Sequence, residues 1–141
     1  MANYYAACRS NYFRVKSPAA FEDWCNSFDS VVFERQDAEN MYMIYMDDAD
    51  GCGWPTYRYP DDPGSEEEDT ELDLTAELSE FLFEGQVAIL EEIGSEKLRY
   101  LHGSSIAVNH RGETIEVNLN DMYKLIPQTW PDADSPTEAS Y

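Results

Sequence analysis

Between Asp47 and Glu92 the chain carries sixteen acidic residues against Arg58 alone, so fifteen of its twenty net negative charges fall within 46 residues. The densest stretch, "DDPGSEEEDTELDLTAELSEFLFEG" from Asp61 to Gly85, holds eleven acids and no Lys or Arg. Like charges so close in sequence repel one another, and such a segment folds only on a framework supplied by the rest of the chain. That framework exists. A 43% hydrophobic and 13% aromatic content is too high for a disordered acidic polymer, and 141 residues make one domain with a real core. A net charge of −20 far exceeds the magnitude of about 2–8 that keeps a small domain soluble. The excess points to a basic partner. The opposite end is different: Met1 to Lys16 holds Arg9, Arg14 and Lys16 and no acid, which implies one strongly charged face rather than an evenly charged surface.

Alternation and turn chemistry define an α+β order. "YYAACRSNYFRVK" reads as a first strand, ended by Ser17 as N-cap and Pro18 at the first helical position. Phe21, Trp24, Cys25 and Phe28 then recur at i, i+3, i+4 and i+7, one apolar helical stripe. "SVVFERQ" and "NMYMIYMDD" read as two strands. A long Gly- and Pro-rich loop follows, "DGCGWPTYRYPDDPGSEEED". A second helix is expected from Thr70 through Phe83, with Leu74, Leu78, Phe81 and Leu82 toward the core and Gly85 as its C-cap. "QVAILEEI", "EKLRYLHG", "SSIAVN" and "ETIEVNL" complete the sheet, with "HRG" as a hairpin turn, and "DMYKLI" either extends the last strand or forms a short helix. The expectation is an α+β domain over residues 1–126, a mostly antiparallel sheet of about 5–7 strands with two helices on one face. A Pro-rich tail over 127–141 is expected to be disordered or draped over the domain.

Candidate binding residues come from the charge pattern. On the expected second helix Asp73, Glu77, Glu80 and Glu84 fall at i, i+4, i+7 and i+11, away from the leucines. Their carboxylates would be spaced by about 4.5–6 Å along the axis, a sparse copy of the phosphate row that one DNA strand presents about every 3.4 Å. Asp61, Asp62 and the run Glu66, Glu67, Glu68 and Asp69 could supply a second row. An ordinary solvated helix face interleaves Lys or Arg at i+4, and this one does not. Trp54 and Tyr57, with Tyr59, flank Arg58 in the long loop. Aromatics around an Arg make an interface anchor or a cover for one end of the sheet.

Chemistry fares worse. Cys8, Cys25 and Cys52 are an odd count without a CxxC pair, so neither a disulfide framework nor a zinc site is expected. The calcium-loop frame around "DDADG" puts Met46 first and Tyr57 where a bidentate Glu belongs. His102 and His110 are not at ligand spacing and read as surface histidines, and phosphate-loop, GxSxG and HExxH patterns are absent. No catalytic residue, metal or cofactor is expected. A signal peptide and an apolar run of membrane-span length are also lacking, so a cytoplasmic protein is expected.

"RSNYFRVKSPAAFEDW", Arg9 to Trp24, and "GSEKLRYLHGSSIAVNHRGE", Gly94 to Glu113, look like segments of a family of small acidic proteins carried by phages and plasmids. In size, acidity and α+β layout the chain is also similar to mobile-element inhibitors of bacterial defence, the anti-CRISPR and antirestriction proteins, several of which act as DNA mimics. The resemblance covers about a quarter of the chain and contains no catalytic motif. It implies an inhibitor, monomeric or homodimeric, that occupies the nucleic-acid channel of a Cas effector or restriction enzyme and binds neither nucleic acid nor membrane itself. It assigns no residue, so the candidate residues stand on charge alone. An immunity protein or antitoxin against a basic toxin or nuclease is the alternative from another class.

Overall fold

The computed structural model of the protein describes residues 4–36, 40–47, 53–58, 70–96 and 100–137. The first strand runs as two pieces, β1 (Tyr4–Ser10) and β2 (Phe13–Arg14), both antiparallel to β4 (Met41–Met46). Arg9 lies opposite Tyr45 and Phe13 opposite Tyr42, so the first strand uses four steps where β4 uses three. The extra residue is a bulge at the "SNY" triplet, and side chains close the ladder around it. Ile44 N–H donates to the buried Ser10 hydroxyl at 2.9 Å. Asn11 donates to the Val87 carbonyl at 3.0 Å and accepts from Ile89 N–H at 2.8 Å.

Helix α1 (Pro18–Asn26) starts where the Ser-Pro pair predicts, with the Ser17 hydroxyl accepting from Ala20 N–H at 3.3 Å. β3 (Val31–Gln36) pairs with β4 as an antiparallel neighbour. In the long loop, β5 (Tyr57–Arg58) and β6 (Thr70–Glu71) form a separate two-stranded ribbon. The short helix α2 (Leu74–Ser79) follows, then β7 (Val87–Glu96), β8 (Tyr100–Asn109) and β9 (Thr114–Asn118). The large sheet is antiparallel in the order β2-β4-β1-β7-β8-β9, with β3 on β4. This is the α+β architecture that the alternation implies.

Three details depart from the sequence expectation. "EKLRYLHG" is not a strand of its own: Glu96 ends β7, and Tyr100 opens β8, which continues through "SSIAVN". Thr70 pairs in β6 instead of opening a helix. A third helix, α3 (Asp121–Thr129), takes up "DMYKLI" and runs through Pro127, across the expected start of the tail. The hairpin turn falls at "HRG" as expected, with Gly112 at φ +82 and the Asn109 side chain accepting from both Arg111 and Glu113 N–H.

One face of the sheet, carrying Phe13, Tyr42, Ile44, Ala88, Leu90 and Val108, joins Phe21, Trp24 and Cys25 of α1 and Leu74 and Leu78 of α2 in a single buried cluster. Phe21 is its centre, with ring centroids 4.9 Å from Tyr42 and 5.7 Å from Phe13. The Ser10→Ala variant removes the acceptor of a buried N–H, and we expect it to lose about 1–3 kcal/mol, read as a lower urea midpoint. Ser17→Ala is expected to lose about 0.5–2 kcal/mol through the cap.

Candidate acidic interaction surface

The helix that carries the candidate acids is shorter than its apolar pattern. Asp73 is its N-cap, accepting from Ala76 N–H at 3.1 Å and from the Thr75 hydroxyl at 3.0 Å. Seven residues later Glu80 is already the C-cap. The chain then leaves the helix to pair with the first strand segment: Lys16 N–H donates to Phe81 O at 2.9 Å, Phe83 N–H to Arg14 O at 3.0 Å, and Leu82 bridges Val15. Leu82 and Val15 are each 1% exposed. Burying that pair in extended backbone outweighs one more helical turn, since propensity yields to tertiary packing. Gly85, at φ +85, turns the chain into β7 and does not cap the helix.

The expected helical row of Asp73, Glu77, Glu80 and Glu84 is therefore not a row. Asp73 caps one end and Glu80 the other, and Glu84 lies in the turn before β7. Glu77 faces inward: its carboxylate accepts from the Trp24 indole N–H at 3.0 Å. Asp73, Glu80 and Glu84 are exposed, as is Glu71 on β6. Asp61, Asp62, Glu66, Glu67, Glu68 and Asp69 lie outside the described residues, as do Asp48 and Asp50 of the calcium-loop frame.

The two aromatic candidates separate. Trp54 packs against the core cluster, with its indole N–H buried and without a hydrogen-bond partner among the described residues. It lines a groove of about 560 Å³ with Leu72, Asp73, Leu74 and Leu90. Tyr57 is 52% exposed and lies opposite Glu71 in the ribbon. The structure thus brings Trp54, Tyr57, Glu71 and Asp73 together at the start of α2, while Glu80 and Glu84 sit beyond its far end. Trp54 thus covers part of the core, while Tyr57 stays exposed.

Sequence reasoning missed a polar cluster built on Glu92. Alternation along β7 turns Ala88, Leu90 and Glu92 to the same, core-facing side. One Glu92 oxygen accepts from Trp54 N–H at 3.0 Å and lies 3.7 Å from the Cys8 sulfur, and the other lies 3.0 Å from His102 Nε2. A Cβ on Gly53 would collide with this carboxylate. The period-two spacing of Glu92 from Leu90 was the available signal. His102 lies within β8 rather than in a turn, and the His110 imidazole accepts from Gly85 N–H at 3.1 Å.

The cysteines in these surroundings are inert. Burial, then the charge and hydrogen bond of Glu92, pushes the Cys8 thiol up to about 12. Burial and then Glu22 push Cys25 up to about 12. Neither is a thiolate at neutral pH, the form that nucleophilic chemistry needs. Among the described residues no group of three His, Cys, Asp or Glu side chains could hold a metal, and no helix is long and apolar enough to cross a membrane. The chain matches no known family model, no curated protein and no solved structure.

Reversal at the inward acid and at an outward one should behave differently. Glu77→Lys strips the acceptor from the Trp24 indole and is expected to lose about 1–3 kcal/mol, with a shift in tryptophan fluorescence. Glu80→Lys should stay within about 0.5 kcal/mol of the parent. Tyr42 supplies a pH signature. Burial first, then its hydrogen bond to Glu22 at 3.0 Å, raises its phenol from 10.0 to about 12. A pKa raised by folding confers stability below pH 10 that is lost as pH rises through about 12. Denaturation at stepped pH should show this decline, and Tyr42→Phe should make it shallower.

Proposed function

We propose that the protein is an inhibitor whose acidic surface blocks the nucleic-acid-binding site of a bacterial defence effector, a Cas effector first and a restriction enzyme next. One observation carries this reading. Sixteen acids against one Arg between Asp47 and Glu92 are more than a structural role uses, and Glu71, Asp73, Glu80 and Glu84 of that stretch are exposed on a folded framework. A surface that evolved only for solubility would not forgo cations there. The phosphate-like spacing of a single helical row is not part of the case, because the helix ends at Ser79. What supports mimicry is charge density. A cleft lined with Lys and Arg would draw such a surface in and speed encounter by roughly 10–10³-fold.

Binding of this kind weakens as salt screens it. The test is capture by the immobilised protein from lysates carrying defence systems, at low salt and at ~0.5 M, where the screening length is only a few ångströms. A DNA-binding effector should be recovered at low salt and lost at high salt. The Glu80→Lys/Glu84→Lys variant, which leaves the Trp24–Glu77 contact in place, should bind at least about tenfold more weakly, roughly 1.4 kcal/mol. A basic toxin held one-to-one at both salt concentrations would replace this reading with that of an immunity protein. Capture of nothing basic would end it.

A further inference from the structure

We infer that the protein associates with a second copy of itself through the sheet face and C-terminal helix that its described residues leave uncovered. α1 and α2 cover one face of the large sheet, and among the described residues no helix covers the other face around β7, β8 and β9. There Ile93, Leu101, Ile115 and Val117 are 68%, 61%, 72% and 56% exposed. The registers put them on one side, since Ile93 pairs with Gly103, and Ile115 and Val117 pair with Ala107 and Ser105. Among the described residues β9 is also a sheet edge, joined to β8 alone. Edges of this kind are usually blunted by charge; here the single charged residue of the strand, Glu116, pairs with Ile106 on the opposite face.

α3 continues the patch. Leu119 packs over Gly103 on the uncovered side, and α3 starts two residues later. None of its nine residues is buried, and Met122 and Leu125 are 59% and 50% exposed. A helix of nine residues is marginal in water without tertiary packing, because its nucleation cost is spread over too few hydrogen bonds. An amphipathic helix that begins at an apolar edge, both exposed, calls for a common cover.

Area and charge select the occupant. A half-exposed aliphatic or aromatic side chain offers on the order of 100 Å². The six named here, with Leu119, approach the roughly 800 Å² per partner of a standard interface. Residues 100–130 carry Arg111 and Lys124 against Glu113, Glu116 and Asp121, a net −1 of the chain's −20. Two copies repel each other over the acidic stretch and least of all here. A basic partner has no electrostatic reason to choose this end, and an anionic lipid surface repels the whole molecule.

The test is sedimentation equilibrium of the full-length protein over a range of concentrations, at low and ~0.5 M salt. We expect a mass of twice 16.2 kDa, with the dimer fraction rising with salt as like charges are screened. This is the opposite sign to that expected for effector capture, so the two proposals fail separately. Val117→Arg and Leu125→Arg, both at exposed positions and checked for folding by circular dichroism, should each raise the dimer Kd at least tenfold. A monomer at every concentration overturns the inference, as does a dimer unchanged in both variants. Loss of effector capture in a monomeric protein bearing either substitution would assign the face to the effector instead.

Discussion

Two carboxylate hydrogen bonds hold the aromatic core in its arrangement. Phe21 packs against Phe13 and Tyr42, and Trp24 lies 5.3 Å from both Phe28 and Phe81 by ring centroids. Tyr42 and Trp24 carry a hydroxyl and an indole N–H into that cluster, and a polar group buried without a partner costs several kcal/mol at most sites. Glu22 takes the phenol and Glu77 the indole. The second contact ties α1 to α2, and Phe81 packs on the same indole where the chain leaves α2 to meet the first strand.

The acids of this chain therefore divide by task. Glu22, Glu77 and Glu92 accept hydrogen bonds from core or half-buried groups, and Asp73 caps a helix. Such carboxylates supply acceptors to donors that burial would otherwise leave unsatisfied. Glu71, Glu80 and Glu84 are exposed. An acidic surface raises the free energy of the compact state by self-repulsion, and the proposed complex with a basic effector would offset it.

The two faces of the large sheet have opposite characters. One is closed by α1 and α2 and by the aromatic cluster; the other is apolar around β7–β9, nearly neutral, and followed by a helix with no fully buried residue. Sixteen of the acids fall between Asp47 and Glu92, and among the described residues eight of the twelve exposed large hydrophobics follow Glu92. Under the two proposals one molecule would engage a basic cleft and a second copy through contacts that salt affects in opposite directions.

Much of the fold was legible in the residues themselves. Short runs of apolar, β-branched and aromatic residues in "SVVFERQ", "NMYMIYMDD" and "QVAILEEI" mark β3, β4 and β7. The Ser17–Pro18 start of α1 and the turn at Asn109–Gly112 are written in local chemistry that needs no distant partner. The acidic bias, too, is a property of composition. Tertiary structure alone decided the length of α2, since Leu82 gains more by burial beside Val15 than by another turn of helix. It also turned Glu77 from a surface acid into the indole's acceptor, and made Glu92 the centre of a cluster with Cys8, Trp54 and His102. These contacts join residues far apart in sequence, and local propensity carries no information about partners that meet only when the sheet closes over its helices.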